Sequence, residues 1–169
     1  MTFENQVIKV LGNLDNVVYP ETKPEMALND LISYGKHLVL EAWQTEENPT
    51  LYTSNCLESS FGFAERYLYQ KSGRKEARHL DNLADLKALV QDLLIRKNHD
   101  YGSSYEKVAK QLGVIPTFSV RILDKCNRLE ELQEGPTEVL DESINDTIID
   151  LLGYYILCII AMQTIDKIK

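Results

Sequence analysis

The stretch Glu142–Met162, ESINDTIIDLLGYYILCIIAM, decides the fold of this chain. Successive residues of an α-helix are turned by about 100°, so Glu142, Asp146 and Asp150 share one side of a helix, and Gly153 follows on that side one turn later. The opposite side is apolar and consists of Ile144, Ile148, Leu151, Leu152 and Tyr155. Beyond Asp150 the helix is apolar all round, which requires that other helices or a second subunit enclose it.

Composition limits the classes of protein that the chain can belong to. Its 169 residues are 44% hydrophobic, which is enough for one folded domain with a true core. The formal net charge of −8 argues against general nucleic-acid binding, which needs a broad positive field. A small anionic ligand needs only a local group of cations and stays compatible with this charge. The three cysteines form no C-x-x-C pair, so neither a disulfide framework nor a zinc site is predicted.

The sequence also predicts where the protein acts. The first residues, MTFENQVIKV, have early acids and no long apolar run, unlike a signal peptide. The apolar run Leu151–Met162 is shorter than the roughly 20 residues that span a bilayer. We therefore expect a soluble cytoplasmic protein without membrane contact, in the host cytoplasm if the chain is phage-encoded.

Periodic apolar residues separated by breaks indicate an all-α fold of five to six helices. A long apolar C-terminal helix is the last of them. The predicted helix boundaries fall at Pro24, Asn48-Pro49, Gly73, Gly113, Pro116, Gly135-Pro136 and about Asp141. No alternating strand pattern and no glycine-rich phosphate loop is found.

A basic row precedes the acidic one. Arg121, Lys125 and Arg128 lie at positions i, i+4 and i+7 of the preceding predicted helix, and therefore on one face. Two interpretations stay open. The row forms ion pairs with the acidic side of the last helix, or it holds phosphate oxygens while the acids hold a divalent metal. A solvated acidic face is a third possibility for the acids alone.

The segment RKNHDYGSSY carries further polar residues at a helix break. Asp100 and Ser103 suit helix capping, which is their commoner role. Tyr101 suits either the core or stacking on a base. His99 alone indicates no chemistry.

Three stretches together resemble a known family. KNHDYGSSY, RILDKCNRLEEL and DESINDTIIDLLGYYILCIIAM are similar to the domain of unknown function 1599, a nucleotide-modification-associated domain. The resemblance covers roughly residues 83 to 165. This group is placed near the MazG-like all-α nucleotide pyrophosphohydrolases and the dimeric dUTPases.

The resemblance implies a MazG-like four-helix core within residues 81–169 that binds a nucleoside triphosphate. It implies water attack between the α and β phosphates, with Mg²⁺, or Mn²⁺ as the alternative ion. Glu142 and Asp146 are the expected catalytic acids, and Asp150 joins them as a metal ligand. The expected nucleotide- and phosphate-binding residues are Lys97, Asp100, Tyr101, Arg121, Lys125 and Arg128.

One departure keeps a second function open. The better-known MazG-like enzymes carry an E-x-x-E helix, and the matching segment here has none; Glu58 and Glu65 lie outside it. We therefore weigh a magnesium-dependent nucleotide pyrophosphohydrolase against a non-catalytic nucleotide-binding protein, such as a sensor or sponge for a signalling nucleotide. A helical oligomerisation module is the third candidate. Residues 1–80 have no predicted role, and a homo-oligomer is expected.

Overall fold

A computed structural model gives the architecture, and it describes residues 1–14, 23–45, 47–70, 79–101, 104–133 and 137–165. Within these ranges only the backbone is described for residues 70, 79–80, 99–101 and 137–143. The described ranges form seven helices and no strand, so the predicted all-α class is confirmed and a helical bundle fits it. The helices are α1 (Phe3–Gly12), α2 (Pro24–His37, continued by a π-helical turn Leu38–Ala42 and by Trp43–Thr45), α3 (Pro49–Glu65, continued by a π-helical turn Arg66–Gln70), α4 (His79–Tyr101), α5 (Ser104–Leu112), α6 (Val114–Gln133) and α7 (Thr137–Thr164).

Local sequence explains where several helices begin and end. Pro24 occupies the first turn of α2, and the Asn48 side chain caps α3 by accepting a hydrogen bond from the Leu51 amide at 3.1 Å. Gly113 separates α5 from α6 with a φ of +94°, a left-handed conformation that favours glycine. The predicted boundaries at Gly73 and Gly135-Pro136 lie outside the described residues.

Three features differ from the predicted helices. α1 was not predicted, because its ten residues carry only a short apolar stripe of Val7, Val10 and Leu11. α6 begins at Val114, two residues before the predicted boundary at Pro116. Proline is tolerated in the first turn of a helix, so Val114 and Ile115 can precede Pro116 in that turn. α7 begins at Thr137 rather than near Asp141.

Helix α7 lies at the centre of the bundle. It contacts α1, α3, α4 and α6, while α2 packs against α3 and α6. Most side chains of its later turns are buried, including Leu152, Ile156 and Ala161. Helices of the same chain therefore enclose the apolar turns that the sequence left to other helices or a second subunit. The expected homo-oligomer and the division of the chain near residue 80 stay predictions, although helices from both sides of that division pack together.

One segment of α7 is the candidate membrane span among the described residues. Ile144–Thr164 is long and apolar enough to cross a bilayer, and 72% of its most apolar window is buried inside the bundle. The buried core helix of a helical bundle can have the same length and apolar composition. The segment is therefore weak evidence for a membrane span.

Close packing surrounds Gly35 of α2. A Cβ atom added there would lie 2.6 Å from the Sγ of Cys126 and 2.7 Å from the hydroxyl oxygen of Tyr155. Burial raises the pKa of the Cys56 thiol to about 11 and that of Cys126 to about 12. Burial also raises the pKa of Tyr155. All three groups are therefore neutral at physiological pH, and the thiols are poor nucleophiles.

Replacing Gly35 with alanine should destabilise the protein, because the added methyl group overlaps two buried side chains. We expect Gly35→Ala to lower the free energy of unfolding by about 1–3 kcal/mol, measured by urea denaturation. Gly12→Ala is the matched control, because a Cβ at Gly12 meets nothing within 4 Å. Equal stability of the two variants would contradict the packing at Gly35.

Candidate functional site

Helices α4 and α7 run antiparallel and approach closely at Gly153. A Cβ atom at Gly153 would lie 3.2 Å from a methyl carbon of Leu94, so only a residue without a side chain fits without a shift. One turn later in α4 and one turn earlier in α7, Lys97 lies beside Asp150. The close approach therefore brings a cation of α4 to the acidic side of α7.

Asp150 joins three helices through ion pairs. Its Oδ1 lies 2.9 Å from the Nζ of Lys97, and its Oδ2 lies 3.5 Å from the Nζ of Lys125 on α6. The Asp150 side chain keeps 24% of its surface exposed. The predicted confrontation of an acidic side of α7 with a basic row of α6 is thus present at this residue. Here it takes the form of an inter-helix ion-pair network.

The described carboxylate side chains do not converge on a magnesium site. Both oxygens of Asp150 face ammonium groups, and Asp146 is exposed with no ion pair among the described side chains. No cluster of three or more His, Cys, Asp or Glu side chains that could hold a metal occurs among the described residues. The side chain of Glu142 lies outside the described residues, as does that of Asp100. The predicted metal set of Glu142, Asp146 and Asp150 therefore stays a prediction.

The other predicted binding residues separate into two groups. Arg121 places its guanidinium carbon 5.7 Å from the ring centroid of Tyr154, a cation–π contact between α6 and α7. Arg128, two turns further along α6, is exposed. Tyr101 lies in the last turn of α4, and its side chain is outside the described residues. The structure thus brings together Lys97, Arg121 and Lys125.

Two cavities flank the contact between Arg121 and Tyr154. The aromatic cavity has a volume of about 330 Å³ and is lined by Phe3, Leu94, Lys97, Asn98, Ser104, Tyr105, Arg121, Tyr154 and Leu157. The α5–α6 cavity has a volume of about 440 Å³ and is lined by Val108, Leu112, Pro116, Thr117, Val120, Arg121, Asp124, Lys125 and Tyr154. Both volumes lie in the range of small-molecule binding sites.

The aromatic cavity has the chemistry of an anion site. Its described lining contains two cations, Lys97 and Arg121, and no carboxylate. Burial, with a smaller effect from Glu106, raises the pKa of Tyr105 to about 12, so its phenol adds no negative charge. A cavity of this charge stands out in a protein whose net charge is −8.

Several lining residues were missed by sequence reasoning. Tyr154 continues the four-residue spacing of Glu142, Asp146 and Asp150, and this signal could have placed it on the same side of α7. Phe3 offered no signal, because its position depends on how α1 packs against α4 and α7.

The two acids considered as substitutes for an E-x-x-E motif lie elsewhere. Glu65 is fully buried and accepts a hydrogen bond from the Asn82 side-chain amide at 2.9 Å. Glu58 lines a separate small cavity with Lys9 and Gln163. Neither residue lines the two cavities beside Asp150, so they give no support to a second acidic helix at the site.

These features define an all-α protein with a cation- and aromatic-lined cavity beside a three-helix ion-pair network. Residues 97–162 match the family described as nucleotide modification associated domain 1, the domain of unknown function 1599. The predicted family resemblance is thereby confirmed for this segment, which begins at Lys97 and contains α5, α6 and most of α7. No curated protein and no solved structure matches the chain.

Removing the carboxylate of Asp150 should destabilise the bundle through charge. In Asp150→Asn the two lysines lose their shared anion, and we expect a loss of about 1 kcal/mol at low ionic strength, since partly exposed ion pairs contribute about this much. High salt should shrink the loss, because it screens the remaining repulsion. Urea denaturation at both salt concentrations measures it. A loss that does not depend on salt would contradict the electrostatic explanation.

Proposed function

We propose that the protein binds a nucleotide whose phosphate groups contact Lys97, Arg121 and Lys125. The observation that carries this proposal is a group of three cations in an acidic chain: Lys97 and Lys125 share the carboxylate of Asp150, and Arg121 lines one cavity with Lys97 and a second with Lys125. The name of the matching domain family supports a nucleotide over other phosphate compounds.

The local charge favours an anionic ligand. Lys97 and Lys125 share the negative charge of Asp150, and Arg121 adds a third cation. Asp124 of the α5–α6 cavity offsets one of these charges, which leaves one positive charge in excess. Arg121 lies over the Tyr154 ring, and a guanidinium in such a cation–π contact keeps N–H donors available for phosphate oxygens. The exposed fraction of Lys97, 48%, leaves room for its ammonium group to contact a ligand without leaving Asp150.

Isothermal titration calorimetry without metal tests nucleotide binding. We expect measurable affinity for nucleoside di- and triphosphates and for pyrophosphate. Arg121→Gln should weaken it by about tenfold or more, because one hydrogen bond to a charged group is lost. Arg96→Gln is the matched control: it removes a cation from α4 that pairs with Asp92 at 3.1 Å and is not among the residues lining the cavities. No binding by the native protein, or equal losses in both variants, would contradict the proposal.

A second candidate is the magnesium-dependent nucleotide pyrophosphohydrolase that the MazG-like resemblance implies. One observation favours it: Asp146 is exposed one turn before Asp150, with no ion pair among the described side chains. In this proposal Asp146 and Glu142 carry the reaction. A divalent ion, when bound, lowers the pKa of a water molecule and offsets phosphate charge. A cytoplasmic location and self-association remain part of the proposal.

Incubation of nucleoside triphosphates with Mg²⁺ or Mn²⁺ distinguishes hydrolysis from binding alone. Under the hydrolase proposal the protein releases pyrophosphate, and Asp146→Asn abolishes release while metal-free nucleotide affinity is kept. Asp92→Asn, a change at an exposed acid of α4, should leave the rate unaltered. If nucleotides bind and stay intact with either ion, the protein is a non-catalytic nucleotide-binding protein.

A further inference from the structure

We infer that the aromatic cavity is the base-binding part of the site, and that Phe3 of α1 and Tyr105 of α5 provide the rings against which a nucleobase packs. This inference rests on the proposed nucleotide binding and adds to it the position of the base. It also gives the N-terminal helix, which lies outside the matching family segment, a role in ligand recognition.

The rings form a connected series that reaches from the core to the cavity. The Phe118 ring is fully buried, and its centroid lies 6.3 Å from that of Tyr105 at an interplanar angle of 58°. Tyr105 is in turn 6.5 Å from Phe3 at 52°. Both pairs are tilted rather than stacked face to face, so neither ring of the cavity has its whole face covered by the other. Tyr105 therefore packs against the buried Phe118 ring, while part of its own ring borders the cavity.

Phe3 is held in place before any ligand binds. It is the first residue of α1, where the Thr2 hydroxyl accepts a hydrogen bond from the Asn5 amide at 3.2 Å. Three buried residues, Val7, Val10 and Leu11, fix the rest of the helix to the bundle. A side chain on an anchored helix loses little freedom when a ligand packs on it, so stacking is not offset by a large ordering cost.

The remaining lining suits a base linked to phosphates. Leu94 and Leu157 extend the apolar wall, and the Asn98 side-chain amide offers both a donor and an acceptor to a base edge. Lys97 and Arg121 border the same cavity, so a base against Phe3 and a phosphate at these cations can belong to one molecule. The ligand class is therefore a nucleotide, and pyrophosphate alone would leave the rings unused.

Calorimetry with two ligands tests the inference. Wild type and Phe3→Leu are each titrated with a nucleoside triphosphate and with inorganic pyrophosphate. Stacking of one base on an aromatic side chain is worth about fivefold to a hundredfold in affinity. We expect Phe3→Leu to lose nucleotide affinity within that range and to keep pyrophosphate affinity, while Phe3→Trp keeps both. Tyr34→Leu, a change at an exposed ring of α2, is the control and should alter neither.

Each outcome has one meaning. Equal loss of both ligands in Phe3→Leu would show a structural role for Phe3 and overturn the inference, as would unchanged nucleotide affinity. In either case the proposed nucleotide binding survives. If the wild-type protein binds neither ligand, the proposed function itself is overturned.

Discussion

The need to enclose an apolar helix on every side is the constraint on which this structure depends. The later turns of α7 expose no polar face, and removal of their apolar surface from water is the main stabilising contribution they can make. Enclosure requires neighbours on all sides, and α1, α3, α4 and α6 supply them. The same helix carries Asp150 before these turns, so two of the neighbours that cover the apolar turns, α4 and α6, also supply the lysines that pair with this acid. The packing of these helices around α7 therefore also determines the position of the polar site.

Gly153 determines how near two of these helices come. Because it has no side chain, Leu94 packs directly against the backbone of α7, and this contact fixes the register of α4 one turn away. That register puts Lys97 within 2.9 Å of Asp150. Asp150 in turn reduces the repulsion between Lys97 and Lys125, which would otherwise disfavour the folded state. A packing contact thus positions an electrostatic one.

Much of this arrangement could be predicted from sequence, because it follows from helical periodicity. The all-α class, the helix starts at Pro24 and Pro49, and the meeting of Lys125 with Asp150 follow from spacing and capping residues. The engagement of both Asp150 oxygens by lysines could not be predicted, since it depends on the crossing of α4 with α7. For the same reason the position of Phe3 in the cavity lining could not be predicted, because it depends on how α1 packs against other helices. Sequence patterns describe one helix at a time, and these features belong to pairs of helices.

The position of Phe3 means that the two parts of the proposed site come from different regions of the chain. The cations that would hold phosphate lie within the segment shared with the domain family, whereas one wall of the aromatic cavity comes from a helix more than 80 residues earlier. Two proteins could then share the anion-binding segment and differ in the base they select through their leading helices alone. Exchange of this helix between relatives would be a direct route to altered ligand preference, with the central framework left intact.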